Sequence, residues 1–404
     1  MKPTPVKLLP ELGLHSVWTL LWRWGLGAAV GTGVIAVTSP LFLRSYLPLN
    51  ADPVRGVWTL PPDSDYRWRS EGYANTAIGP FGMPGKAASL SGLSVSKGEQ
   101  TADLNQAQGP PPQIALWGDS QAEGVSVDDD DKLFAKIENA SSGDLNVYPL
   151  ARSGEDAADW VTQMPRVEEK FGIDQHVILV VEPADMLAAV GAPVAAPSVS
   201  DASAANAALA SKLPAFVIQA ARNLLREPDG STPRRLRFTV GPVPAASEQS
   251  GISEQSGISE QSAVEQGAAA SDKTGGSLNR DDSDLWVNAL SAIRNATELP
   301  VVLLYAPLSP HIIDGEIRWQ DPTADQFLLL QQAAKEVGIR VVDARDELRD
   351  SVGSVGRWPH GFHNGHIGSG HLNQVGNEIL AAKLLEALSD RPGDSALPSL
   401  ESRD

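Results

Sequence analysis

The chain has 404 residues, a formal net charge of −18 and no cysteine. That length holds one large domain with appendages, and the acidity argues against a nucleic-acid partner, because phosphate binding requires basic surface. Without cysteine there is no disulfide, no thiolate metal site, no cysteine nucleophile and no lipid anchor on a cysteine, and compartment is left open.

In chain order the first element is an uncharged apolar stretch, 24–43 (WGLGAAVGTGVIAVTSPLFL), long enough to cross a hydrocarbon core of ~30 Å. Arg23 and Arg44 bound it, with Trp18, Trp22, Trp24 and Tyr46 as interfacial aromatics. Lys2, Lys7 and Arg23 precede it. The pattern predicts a single-pass signal anchor, with residues 1–23 cytoplasmic and the main domain on the periplasmic or extracellular side of the inner membrane. A cleaved signal peptide and a buried core helix are the alternatives.

Residues 44–110 are rich in Pro, Gly and Ser, with strand-like pieces such as 66–69, and read as an irregular lead-in over the next domain. From Gln113 the pattern becomes regular: strands at 114–117, 146–150 and 177–181 alternate with helices near 131–139 and at 157–171. An amphipathic helix is expected at 213–226. Residues 247–264 repeat a six-residue unit three times (SEQSGI, SEQSGI, SEQSAV). The copies have too little apolar content to bury a core, so an insertion over 187–282, disordered in part, is expected rather than a β-helix. Order resumes with helix 285–295, strand 300–305, helix 325–337, strand 339–342, a Gly- and His-rich loop at 357–370 and a closing helix at 373–388; 391–404 reads as a disordered tail. Strands alternating with helices predict a parallel sheet covered on both faces over 111–390.

Gly118-Asp119-Ser120 follows the apolar run Ile114-Ala115-Leu116-Trp117, which places a serine hydroxyl at the rim of the sheet, where open α/β sheets do chemistry. Serine is a weak nucleophile until a base takes its proton. Of seven histidines, four (His360, His363, His366, His371) lie in or at the end of the loop before the last helix. His371, at the entry to that helix, is the candidate base. Asp119 reads as a turn former bonding nearby amides, and Gly154 as a position set by backbone conformation. The four histidines as a zinc site, and Asp128 to Asp131 as a calcium site, stand as alternatives to a loop and to a solvated turn capping the next helix.

These motifs resemble the SGNH/GDSL hydrolases. Gly118-Asp119-Ser120 is similar to their first motif, Ser153-Gly154 to the glycine after the second strand, and His371-Leu372-Asn373 with Gly376 to the last. The resemblance implies a flavodoxin-like three-layer sandwich with a parallel sheet, Ser120 and His371 as nucleophile and base, and the amides of Ser120 and Gly154 as oxyanion donors. Asp119, Asp343 and Asn373 are candidate orienting or supporting groups. No metal or cofactor is called for. Two departures stand out. Glu182-Pro183-Ala184-Asp185 replaces the family's Gly-x-Asn-Asp, so Ala184 stands where an amide donor is expected, and Gly368 and Ser369 stand where an aspartate normally orients the histidine. The implied activity is an esterase or O-acyltransferase acting on acyl groups, acetyl above all, of an envelope polysaccharide or another acylated small substrate. The other reading is an inactive glycan-binding or scaffold domain working with envelope assembly proteins.

Overall fold

The structure, a computed structural model, describes residues 14–86 except 46 and 48, 111–190, 217 and 280–389. The repeats at 247–264, the expected helix at 213–226 (Val217 aside), most of the insertion 187–282 and the tail 391–404 lie outside the described residues.

The chain opens with helix α1 (Leu14–Thr38), which Pro40 follows in a short 3-10 turn at Ser39–Leu41. Among the described residues α1 is the one helix long and apolar enough to cross a membrane, with a span at Trp18–Leu41, offset towards the N-terminus from 24–43. Its Trp18, Trp22 and Trp24 side chains are exposed.

The lead-in is more ordered than its composition predicts. It forms β1 (Asn50–Ala51), β2 (Trp58–Thr59) and an antiparallel hairpin of β3 (Ser64–Trp68) and β4 (Ala74–Ile78). Alternation puts Tyr66 and Trp68 of β3, with Ala74 and Ile78 of β4, into a small cluster with Val125 that is separate from the main core. A two-stranded hairpin is marginal by itself, and hydrogen bonds to the domain hold this one. Asp128 Oδ1 accepts from Asn75 N at 2.8 Å, and the Asp129 carboxylate accepts from Ala77 N at 3.2 Å. The acidic run 128–131 is a turn with Asp128 and Asp130 exposed, as expected, but it does not cap the next helix with a side chain: two of its carboxylates satisfy edge amides of β4 instead. Lys132, fully buried, donates to Thr76 Oγ1, Gly124 O and Val127 O. Arg55 joins the lead-in to the sheet by donating to Leu150 O at 2.7 Å while paired with Asp52.

The sheet strands are β5 (Gln113–Trp117), β6 (Asn146–Pro149), β7 (Gln175–Val180), β8 (Val301–Tyr305) and, after a small hairpin of β9 (His311–Ile313) and β10 (Glu316–Arg318), β11 (Arg340–Asp343). They are all parallel in the order β11-β8-β7-β5-β6, the flavodoxin-like doubly wound order. Between them run α2 (Ser120–Glu123), α3 (Leu133–Ala140), α4 (Ala157–Phe171), α5 (Arg280–Ala296) and α6 (Ala324–Glu336); α7 (Arg345–Asp350) and α8 (Gln374–Ser389) follow β11. Right-handed crossovers put α3, which packs on α8, on one face and α4, α5 and α6 on the other. The central strands are continuous apolar runs because both faces are covered: Ile114, Ala115, Leu116 and Trp117 are all buried. Each large side chain so buried contributes ~1.5–3 kcal/mol. Strand order reverses between β5 and β7, which opens a crevice beyond their carboxyl ends.

Candidate active site

Ser120 enters that crevice on the first turn of α2. Gly118, the last residue before the turn, has φ +150°, and a Cβ there would lie 2.7 Å from Ala122 Cβ, so the turn requires glycine. Asp119 caps α2, its side chain accepting from Gln121 N at 2.9 Å. Desolvation pushes the Asp119 carboxyl above the usual range, against the opposing effects of that hydrogen bond and of His371 nearby. The capping role expected of Asp119 is the one the structure shows.

The loop after β6 docks on the same turn. Arg152 N donates to Gly118 O at 3.1 Å and Ser153 N to Glu123 Oε2 at 3.0 Å, which brings Gly154 to the rim. Gly154 is exposed with φ +80°, and neither its amide nor that of Ser120 donates to an acceptor among the described residues. After β7, Ala184 is exposed and has no side-chain donor. Its neighbour Asp185 is pushed up to about 7 by burial and by the carboxylates of Asp119, Glu182 and Asp156.

His371 reaches the serine. Its Nε2 lies 3.0 Å from Ser120 Oγ, and Leu372 N donates to Gln121 Oε1 at 2.8 Å, which locks the histidine loop to the serine turn. Asn373 holds the loop and the helix around His371. Its Oδ1 caps α8 through Val375 N at 2.9 Å, and its Nδ2 donates to Trp358 O and Gly361 O, holding the loop before His371. The other histidines of this loop do not converge with it. His360 is buried against Pro310 O at 2.7 Å, with its pKa lowered to about 4 by burial, while His363 and His366 are exposed. Among the described residues no group of three or more His, Cys, Asp or Glu side chains is placed to hold a metal ion.

The carboxylate against His371 comes from outside the sheet domain. Glu71, in the loop of the β3–β4 hairpin, accepts from His371 through both oxygens: from the backbone N at 2.7 Å by Oε1, and at Nδ1, also 2.7 Å, by Oε2. A proton shared with Glu71 at Nδ1 makes Nε2 the acceptor for the serine hydroxyl. Asp343 is not the substitute: its carboxylate is bound by the Arg345 guanidinium at 2.7 Å, at the end of the edge strand β11. Gly368 and Ser369 do not replace the missing aspartate either, and Gly370 explains how Glu71 can. At φ +87°, a Cβ on Gly370 would overlap Glu71 Oε1, so only glycine lets the carboxylate lie against this loop. Asn364 fastens the two loops, with Oδ1 accepting from Gly72 N at 2.8 Å and Nδ2 donating to Gly72 O at 3.1 Å. Glu71 carries no signal in the sequence beyond an acidic residue beside a glycine between two short alternating stretches.

The serine after the first sheet strand, the glycine after the second and the histidine before the last helix thus meet at one end of a doubly wound sheet. The fold is the flavodoxin-like doubly wound sheet that the resemblance to SGNH/GDSL hydrolases implies.

No protein-family model matches the chain, and no curated protein does. Solved structures similar to it include the acetyl xylan esterase AlAXEase, 11% identical with a TM-score of 0.34, covering 68% of this chain and 99% of that one. They also include a catalytic mutant of an acetylxylan esterase from Geobacillus stearothermophilus, 10% identical, TM-score 0.34, covering 71% and 98%. A third is the lipase/acylhydrolase from Enterococcus faecalis, 14% identical, TM-score 0.32, covering 69% and 95%.

Proposed function

We propose that the protein is a serine-dependent acyl-transfer enzyme, an esterase or O-acyltransferase, whose nucleophile, base and orienting group are Ser120, His371 and Glu71. The observation that carries this reading is the unbroken relay from Ser120 Oγ to His371 Nε2 at 3.0 Å and from His371 Nδ1 to Glu71 at 2.7 Å. The His371 and Glu71 side chains are 25% and 21% exposed, open enough for a substrate to reach.

Ser120 Oγ attacks the carbonyl carbon of an ester as His371 Nε2 takes its proton. The oxyanion that forms is met by the free amides of Ser120 and Gly154. His371 then passes its proton to the leaving alcohol as the C–O bond breaks, leaving an acyl group on Ser120. Water or a sugar hydroxyl repeats the sequence in the second half, gives its proton to His371, and Ser120 takes it back as the acyl group departs. Water as acceptor makes an esterase, and a sugar hydroxyl makes a transferase. With α1 as a signal anchor, the site lies outside the cytoplasmic membrane, where acyl groups, chiefly acetyl, on an envelope polysaccharide are the fitting substrate.

Ala184 favours a second reading, an inactive glycan-binding or scaffold domain, since loss of one oxyanion donor costs ~2.7–4 kcal/mol of transition-state stabilisation. Labelling of the full chain by a fluorophosphonate probe decides between them. The expected result is labelling that Ser120→Ala abolishes, with turnover of p-nitrophenyl acetate lost in parallel. An unlabelled wild-type chain would leave only the binding protein.

A further inference from the structure

The hairpin that carries Glu71 is also fastened to the end of α1. Ser45 N donates to Arg67 O at 2.8 Å, and Arg67 N donates to Ser45 Oγ at 3.0 Å. Arg69 Nε donates to Pro40 O at 3.3 Å, two residues past the end of α1, and the Arg44 guanidinium lies 5.6 Å from the centre of the Trp68 ring. Only Phe42, Leu43 and Arg44 separate the 3-10 turn at Ser39–Leu41 from Ser45, so no free tether lies between helix and domain. From Pro40 the path runs through the Arg69 side chain, two residues of backbone, Glu71 and His371 to Ser120, a reach of about 28 Å at most with every segment extended.

The surface on this side has the character of a membrane interface. Leu41 and Phe42 are exposed beyond the helix, and Tyr73, two residues from Glu71, is exposed with the Arg69 guanidinium 5.3 Å from its ring centre. Arg44, Arg67 and Arg69, each half-buried, also gather here, beside the exposed Asp63 and Asp65 of the same hairpin. Exposed aromatics and basic side chains settle at the headgroup level and face anionic lipid. A site built to work on polymer far from the membrane has no use for a catalytic hairpin bonded to the membrane-proximal turn.

From the juxtaposition of the Glu71 hairpin and the segment 39–45, we infer that the substrate is itself held in the membrane: a lipid-linked molecule whose acyl ester, or acceptor hydroxyl, stands in the headgroup region of the bilayer that α1 occupies. This rests on the acyl-transfer reading and on α1 as an anchor, and it narrows the substrate to a membrane-borne precursor or lipid headgroup.

The experiment uses the full chain in vesicles of phosphatidylcholine and phosphatidylglycerol, with two probes sharing one reacting sugar: hexadecyl 6-O-acetylglucoside embedded in the vesicle and methyl 6-O-acetylglucoside in solution. Turnover of p-nitrophenyl acetate reports the basal chemistry. A variant with a flexible Gly/Ser insertion of about twenty residues between Phe42 and Leu43 frees the domain from the membrane-proximal turn. The embedded glucoside is expected to be cleaved at least ~10-fold faster at equal total concentration, because the bilayer raises its local concentration at the site. The insertion is expected to reduce that preference with p-nitrophenyl acetate turnover unchanged. Equal rates on the two glucosides, or a preference that survives the insertion intact, would overturn the inference while the esterase stands. Absence of p-nitrophenyl acetate turnover would instead remove the acyl-transfer reading and this inference with it.

Discussion

The relay is assembled from two regions that hold their residues by different means. Ser120 and His371 belong to the sheet domain, where a buried strand, a glycine turn and a capped helix fix them. Glu71 belongs to a hairpin with its own small cluster, held in place by hydrogen bonds to Asp128, Asp129, Lys132 and Asn364. Positions set by a core tolerate change in the loops around them. Positions set by a few hydrogen bonds depend on each partner. The sheet half is therefore expected to keep its nucleophile through many surface changes, whereas the carboxylate is lost by small changes at a distance.

The largest expected effect tests the sheet half alone. Ser120→Ala removes the nucleophile, and acyl-ester turnover should fall on the order of 10⁴-fold or more with the melting temperature little changed. Steady-state kinetics together with circular dichroism check both parts.

Next comes the carboxylate. Glu71→Gln keeps the shape and removes the charge that sets the tautomer of His371, so kcat should fall on the order of 10²–10⁴-fold with KM little affected. Asp343→Asn, which breaks only the pairing with Arg345, should leave kcat unchanged; a loss there equal to that of Glu71→Gln would reverse the assignment. Gly370→Ala should act like Glu71→Gln, because its methyl group takes the space of Oε1.

The same contrast decides what could be read from the sequence. Strand 114–117 follows from an apolar run, helix 157–171 from the alternation of strands with helices and the closing helix from the stretch after His371, and the structure places them within a residue or two, at Gln113–Trp117, Ala157–Phe171 and Gln374–Ser389. The serine–histidine pairing followed from their order along a doubly wound sheet. Glu71 did not, because the contact joins residues 300 apart through a loop of no regular periodicity. A missing aspartate at Gly368 and Ser369 signals a vacancy but not what fills it. The contacts of Asp128 and Asp129 with β4 are hidden for a related reason: a turn that caps a strand edge has the same composition as one that does not.

A smaller effect tests how the hairpin is held. Lys132 has its three donors matched by three acceptors, and burial lowers its pKa to about 8. Lys132→Met preserves most of the volume but frees Gly124 O, Val127 O and Thr76. Turnover should drop roughly tenfold or less while Ser120 remains in place, at a stability cost of about 1–3 kcal/mol for the unpaired groups. If turnover is unaffected while amide exchange in 74–78 accelerates, the hairpin is loose without consequence, and Asp128, Asp129 and Asn364 suffice to position Glu71.

The smallest effect belongs to the sheet half and concerns pH. Glu155, behind Gly154, is buried, and neither of its carboxylate oxygens meets hydrogen-bond geometry. Burial pushes its pKa up to about 7, partly offset by the Arg55 and Arg152 guanidiniums. The folded state therefore holds this proton more tightly than the unfolded chain. The resulting stability is fully present below the unfolded carboxylate pKa, near 4.5, and is lost as pH rises through about 7. Glu155→Gln removes the titration. Its melting temperature should differ little from wild type at pH 5 and exceed it at pH 8 by on the order of 2–4 °C. Lys132 has the opposite sign: its lowered pKa makes stability rise with pH between about 8 and its unfolded value. The two regions thus carry pH signatures in separate windows, and thermal melts of wild type, Glu155→Gln and Lys132→Met from pH 5 to pH 10 assign each window to its residue. If Glu155→Gln melts in parallel with wild type across the lower window, the carboxylate is not the group that titrates there.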